Sequence, residues 1–445
     1  METTNIYYKS ILAVIMIWMV TGCSLDIENP NGPVAEQIET TRDGIITLSV
    51  GMRQTYSTAA LESIVLTPGT TARELRGINT GTNIIEIDQG GSALPNFNGN
   101  ITSVWQRPLR VMGMADDILT NGPVVLAAEP ALLSGIIAHA KLLKAMCLGS
   151  LAQSFTAGIL ETSLATNASF VSREELLSTA LTLLTEAQQT LSTTPPSTEF
   201  FTRVTGTDFN LPNTILAYHA RYALMAGKYQ EAIAAAQAVS PTVASKFMYT
   251  NQAPNPLYQQ VQVAKNFAAR ENFGLPADLV EVDDKRLKFY LTTTRKTHFQ
   301  GDSTDALTGF ATSITQPIPA YIPDEMKLII AEANVRGNLD ITVAVNQINA
   351  VRTQVSGDPF GIHPNLPAYG GAVTTEALLK EIYKQRCAEL YLSGLRLEDS
   401  RRFGRTAPPA DVVPVPLTYE RSRNFYPFPQ QERQNNINTP ADPSL

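Results

Sequence analysis

Ile382-Tyr-Lys-Gln-Arg386-Cys-Ala-Glu389-Leu-Tyr-Leu-Ser-Gly394-Leu-Arg396-Leu-Glu-Asp399-Ser-Arg-Arg402-Phe403-Gly404 carries the strongest fold signal in this chain. Leu379, Ile382, Tyr383, Cys387 and Leu390 recur at spacings of three and four, which predicts a helix from about Thr375 to Gly394 with one buried stripe. A glycine after such a stripe can take the left-handed conformation that closes a helix, so Gly394 is the expected cap. Arg386 and Glu389 stand one turn apart and are expected to pair on the helix surface. Arg396, Asp399 and Arg402 alternate in sign at near-helical spacing and are expected to tie a last helix to the preceding pair. The reading of these charges is structural rather than ligand-binding.

Working outward, the same periodicity recurs. Glu325–Arg336 leads into Gly337-Asn338, and Thr342–Arg352 follows with Ala344, Val345, Ile348 and Val351 on one side. Leu216–Ala226 and a second alanine-rich helix to Val239 flank Gly227, with small Ala220 and Ala232 allowing close antiparallel approach; this resembles a tetratricopeptide unit, whose pattern is partly met. Ser172-Arg-Glu-Glu175 is a capping box. The stripe Leu177, Ala180, Leu181, Leu184, Ala187, Leu191 follows it and ends at Pro195-Pro196. Ala131–Phe155 is another long helical candidate. By contrast, 67–100, 241–319 and the tail from Ala407 are rich in Gly, Pro, Asn, Thr and Gln, so they predict long irregular loops, which often carry binding function.

The amino terminus reads separately. An apolar run, Ile11–Val20, precedes Thr21-Gly22-Cys23 and is too short to span a bilayer, which takes about 20 residues. Such a run before small residues is the pattern of a cleaved export signal, and the cysteine after Gly22 resembles a bacterial lipobox. Residues 1–22 are thus expected as a lipoprotein signal peptide, and Cys23 as the lipidated first residue of the mature protein. Residues 23–45 are expected as a flexible leader, in which Asn29-Pro30-Asn31-Gly32-Pro33 forbids regular structure.

A hydrophobic content of 44% with 17% charged residues fits a globular chain with a sizeable core. A net charge of −7 without a run of Lys or Arg argues against a nucleic-acid partner. Cys147 and Cys387 each sit in an apolar helical pattern, which favours free, buried thiols over the alternative, a Cys147–Cys387 disulfide. His139, His219, His298 and His363 are far apart and form no metal-ligand spacing, so no metal is expected. No nucleophile elbow, phosphate-binding loop or dinucleotide fingerprint is present, and the adjacent acids Asp116-Asp117 and Asp283-Asp284 do not establish an acid pair across a cleft. No catalytic residue and no cofactor are expected.

Taken together, these blocks resemble the SusD/RagB family of outer-membrane lipoproteins of Bacteroidota. Residues 382–404 are similar to the family's ER-x-x-EL-x-x-EG-x-R-x-x-DL-x-RWG stretch, with Gln385 and Ser393 where Glu is usual, and Leu397 and Phe403 where Trp is frequent. Ala331-Glu-Ala333 and Ile348-Asn-Ala-Val-Arg352 resemble its AEA and LNAVR elements. Phe425-Tyr-Pro-Phe-Pro429-Gln-Gln-Glu432 resembles its closing PIP-x-x-E element. Trp105-Gln-Arg-Pro-Leu-Arg-Val-Met resembles its early W-x-x-x-Y helix, and Asp284-Lys-Arg286-Leu its DPRL turn.

The fold class expected is all-α, a tetratricopeptide-like helical repeat scaffold with long irregular loops. Residues 46–320 would form the N-terminal SusD-like region and 321–445 the C-terminal RagB/SusD region. The resemblance implies a non-catalytic lipoprotein of the cell outer membrane, facing the exterior. It would capture a glycan or peptide and pass it to a SusC-like TonB-dependent barrel. An exported lipid-anchored hydrolase and a structural tetratricopeptide-like assembly protein of the outer membrane remain the alternatives. Trp105 is expected in the core rather than as a sugar platform. The loop tyrosines Tyr249, Tyr258, Tyr321 and Tyr369 are left as possible platforms, none singled out.

Overall fold

The computed structural model describes residues 35–162, 167–297, 303–409 and 411–444. Helix α1 (Ala35–Thr40) precedes α2 (Arg42–Thr55), whose N-cap Thr41 accepts a hydrogen bond from the Gly44 N–H. A π-helical turn, Tyr56–Ala60, then continues directly into α3 (Leu61–Thr71), giving one long helical run. The expected leader is therefore helical from Ala35, whereas Cys23 and the 29–33 segment lie outside the described residues.

After α4 (Thr82–Gln89) come the long helices α5 (Gly99–Val125), α6 (Pro130–Ser154) and α7 (Arg173–Thr193). Ser172 caps α7 as its sequence predicts, accepting from the Glu175 N–H at 3.2 Å. Helix α6 is long and apolar enough to cross a membrane by composition, yet 72% of its most apolar window is buried by protein, as befits a core helix. Neighbours pack in sequence order, α5 on α6 and α6 on α7. The next pair, α8 (Leu211–Met225) and α9 (Tyr229–Ala238), follows with Ala220 and Ala232 fully buried at its contact. A short helix α10 (Arg286–Tyr290) precedes the last pair, α11 (Asp324–Arg336) and α12 (Ile341–Arg352), on which α13 (Thr375–Glu389) packs; α14 (Arg396–Arg402) and α15 (Gln430–Asn435) end the helical order. This is the expected tetratricopeptide-like scaffold.

The regions expected as irregular contain short strands. β1 (Leu75–Gly77), β5 (Phe267–Arg270), β7 (Ser303–Leu307) and β6 (Leu291–Thr297) form a four-stranded antiparallel sheet in that order. Two-stranded ribbons join β2 (Ala157–Ile159) to β3 (Phe170–Ser172) and β4 (Lys246–Phe247) to β8 (Ile318–Pro319). The main core draws on residues from Ile45 to Phe428 and so crosses the 320/321 boundary, while Ala331, Ala344, Ile348, Leu378 and Ile382 make a smaller cluster between α11, α12 and α13.

The charged residues of the C-terminal block are buried, which corrects the expectation of a surface pair. Arg386 and Glu389 are 1% and 0% exposed and do not bond each other. Arg386 instead donates from Nε to Asp399 Oδ2 at 2.8 Å, and Arg402 bridges Asp399 to Glu332 of α11. Glu389 accepts from Arg286 Nη1 at 3.0 Å, and Arg286 is clamped by Asp284 and by Gln385 Oε1. Arg352, at the end of α12, donates to Glu281 and Glu381. The separate sequence blocks thus meet in two ionic clusters, one of Arg386, Asp399, Arg402 and Glu332 and one of Arg286, Glu389, Gln385, Glu381 and Arg352. The closing element meets the early helix elsewhere: Trp105, 1% exposed, lies 5.8 Å from the Phe428 ring and donates from Nε1 to Glu432 at 3.0 Å. Trp105 is core, as expected.

Gly394 does adopt a left-handed conformation, with φ +81°, but α13 ends earlier, at Glu389. Gly394 instead sits in the corner between α13 and α14.

Candidate functional site

Strand pairing builds a polar concavity. Gly77 of β1 stands opposite Phe267 of β5, and Ile78 N–H donates to the Asn266 carbonyl at 2.9 Å, so Asn79 and Asn266 emerge side by side. Only glycine suits position 77: a Cβ there would lie 2.7 Å from Ile84 Cγ2 and 2.9 Å from the Ile84 carbonyl of α4, which folds back over it. A π-helical turn, Gln259–Val263, directs Gln260 into the same space. The resulting cleft, about 380 Å³, lies between α3, the 79–84 turn, the start of α5 and the 260–267 segment.

Its wall is a single chain of hydrogen bonds. Asn79 Nδ2 donates to Asn266 Oδ1 at 2.9 Å, Asn266 Nδ2 to Gln260 Oε1 at 2.7 Å, and Gln260 Nε2 to Glu62 Oε2 at 3.1 Å. Arg107 closes the chain with a 2.7 Å ion pair to Glu62 Oε1. Each side-chain amide spends one donor and one acceptor on its neighbours and keeps another of each for a ligand. Asn83 and Asn100 extend the wall, with Asn100 Nδ2 donating to the Asn83 carbonyl at 3.0 Å. Phe97, two residues before the lining Gly99, is 64% exposed. Among the described residues lining this cleft, Glu62 is the one carboxylate.

The loop tyrosines do not supply this platform. Tyr249 and Tyr321 are 5% and 2% exposed, and Tyr258 and Tyr369 are half-buried away from the cleft lining. Phe97 went unmarked in the sequence, although a single aromatic inside Asn96-Phe-Asn98-Gly-Asn100 is a usable signal, since turn residues leave little apolar surface to bury it.

The remaining candidates are structural. His139 is fully buried with Nδ1 3.0 Å from Ser49 Oγ, and burial pushes its pKa down to about 3. His219 contacts Glu231 at 2.7 Å, and His298 lies outside the described residues. Asp116 is held by Lys144 and Thr162, Asp284 by Arg286. Cys147 and Cys387 are free and buried, and burial raises both thiol pKa values, Cys387 to about 12. Among the described residues no group of His, Cys, Asp and Glu is placed to hold a metal. A second large cleft, about 440 Å³, is walled by Arg336, Lys380, Arg402 and Arg405, but each of these cations is engaged by a carboxylate.

No protein-family model matches the chain, and no curated protein matches it. Solved structures do. A SusD homolog from Bacteroides thetaiotaomicron aligns with a TM-score of 0.71 at 14% identity, over 93% of this chain and 99% of that one. The chain has the SusD-like fold. A second SusD superfamily protein from the same species gives a TM-score of 0.70 at 16% identity, over 91% of this chain and 100% of the other. A SusD-like carbohydrate binding protein from Bacteroides vulgatus gives 0.65 at 16% identity, over 89% and 97%. The alignments span both chains almost whole.

Proposed function

We propose that this protein is a non-catalytic binding subunit that captures a glycan in the 62–107/260–267 cleft. It would pass that glycan to a SusC-like TonB-dependent barrel, held at the outer membrane by lipid on Cys23. The amide chain from Asn79 to Glu62 carries the reading. Sugar hydroxyls both donate and accept, and so do the spare groups of Asn79, Asn266 and Gln260. The exposed Phe97 ring offers an apolar face suited to the C–H side of a pyranose. The name of the Bacteroides vulgatus carbohydrate binding protein supports the same ligand class. Hydrolysis of a glycoside ordinarily needs two carboxyl groups about 5–10 Å apart. Glu62, already paired with Arg107, has no second acid beside it in the cleft lining.

The lipid anchor rests on Val20-Thr-Gly-Cys23, and Cys23→Ala should abolish fatty-acid labelling and membrane retention. The barrel partner is tested by mild detergent extraction, which should recover a TonB-dependent barrel in near-equal amount. The decisive experiment screens the purified protein against a polysaccharide array and a peptide pool, followed by product analysis. Binding of a polysaccharide without turnover is the expected outcome. Binding confined to peptides, or release of shorter sugars, overturns the proposal.

A further inference from the structure

Another cleft, about 400 Å³, lies on the same seam as the first. One wall of both clefts is the continuous α2–α3 run, which lends Gln54 and Thr58 to the second cleft and Glu62 and Ser63 to the first. The other wall of both is the 247–267 segment. It lends Met248, Thr250 and Gln252 to the second cleft and Gln260 and Asn266 to the first. The two walls run in the same direction and are stitched at the second cleft, where Tyr249 Oη donates to the Ser57 carbonyl at 3.0 Å. Gln54 and Ser63, nine positions apart on the helical run, are separated by roughly 13 Å at the rise of a helix.

The second cleft mixes apolar and polar groups: Val50, Phe247 and Met248 stand beside Gln54, Thr58, Thr250 and Gln252, with Arg53 and Asp208 also in the lining. Gln54 and Gln252 are both exposed in this lining. Met248, 52% exposed, supplies an apolar surface in the same lining. Two π-helical turns, Tyr56–Ala60 and Phe201–Thr205, border it, and such turns recur at functional sites.

We infer that the second cleft is a further subsite for the same polymer, so that the recognised unit is an oligosaccharide long enough to occupy both clefts at once. The inference rests on the glycan-binding reading of the first cleft. Two linked contacts on one ligand gain affinity because the second engages at high effective concentration.

The test uses the polysaccharide selected by the array and its own partial-hydrolysis fragments, measured by titration calorimetry. Fragments of hexasaccharide length and above should bind about tenfold or more tighter than di- and trisaccharides, a difference of about 1.4 kcal/mol. The triple variant Met248→Ala, Thr250→Ala, Gln252→Ala alters side chains at the exposed rim. It should remove that gain while leaving short-fragment affinity unchanged. Affinity independent of length, or a variant that binds long fragments as well as the parent does, overturns the second subsite but leaves the first cleft standing. No binding of any array polysaccharide overturns the glycan reading and this inference with it.

Discussion

At Gly394 two constraints coincide. Its φ of +81° is one that side chains resist, and a Cβ there would lie 2.7 Å from the Ile64 carbonyl, a backbone atom of α3. Gly394→Ala should therefore destabilise by about 1–2 kcal/mol for the conformation alone, with the clash in addition. Thermal denaturation checks this, and an unchanged melting temperature would show that the corner shifts freely. Glu74 is a different kind of residue. It is 1% exposed, and burial raises its pKa from 4.5 to about 7 against the opposing pull of Arg396 and the Leu392 N–H. Between those values the folded state holds a proton that the unfolded chain has released. Its contribution is thus fully present below about pH 4.5 and is lost as pH rises to 7, on the order of 3 kcal/mol in all. Glu74→Gln keeps an acceptor for the Leu392 N–H, which donates at 3.1 Å. Its unfolding free energy should fall less than that of the parent between pH 4.5 and 7 in denaturant titrations. Parallel profiles for the two proteins would place the pH dependence elsewhere.

Arg286 welds one element to another. It joins α10 to α13 by donating to Asp284, Gln385 and Glu389, all within the interior. Arg286→Leu should cost about 3–5 kcal/mol, because it strands buried carboxylates without a counter-charge. Adding Glu389→Gln should recover part of that loss, and failure to recover any would show that packing rather than charge is at stake. This element also marks how far the sequence could be read. Periodicity located the helices, because a stripe at spacings of three and four is a local property. It also placed Arg386 and Glu389 one turn apart. Local spacing could not reveal that Asp399 folds back across the Gly394 corner, and that Arg286 approaches from a distant segment, to claim those two side chains in the interior. The strands were missed for the same reason. β1 is three residues long and pairs with β5 through Leu75 and Ala269, so neither member shows an alternating pattern long enough to register. The family-like blocks did locate the architecture, since the ionic clusters and the Trp105–Phe428–Glu432 contact are what those blocks build.

Across the whole molecule, stability and the proposed recognition fall to different side chains. The buried ionic clusters use Arg286, Gln385, Arg386, Glu389, Asp399 and Arg402, none of which lines the 380 Å³ cleft. The cleft is lined by carboxamides from segments that the sequence marked only as loop-like. Their ladder depends on the β1–β5 register, which is why the loops were legible as loops and the cleft they build was not. This separation has a testable consequence. Asn266 is the middle link of the ladder, and Asn266→Ala removes its hydrogen bonds to both Asn79 and Gln260 while leaving the backbone bonds of 266 in place. Losing one or two such bonds, with the spare groups they orient, should weaken binding of the array-selected polysaccharide by about tenfold. The melting temperature should stay close to that of the parent, because the side chain is only half-buried. Arg286→Leu should do the reverse, lowering the melting temperature while protein still folded at low temperature binds with parental affinity. Calorimetry and thermal denaturation on the two variants give four numbers. If Asn266→Ala binds the polysaccharide as the parent does, recognition does not run through this ladder, whatever the fold around it.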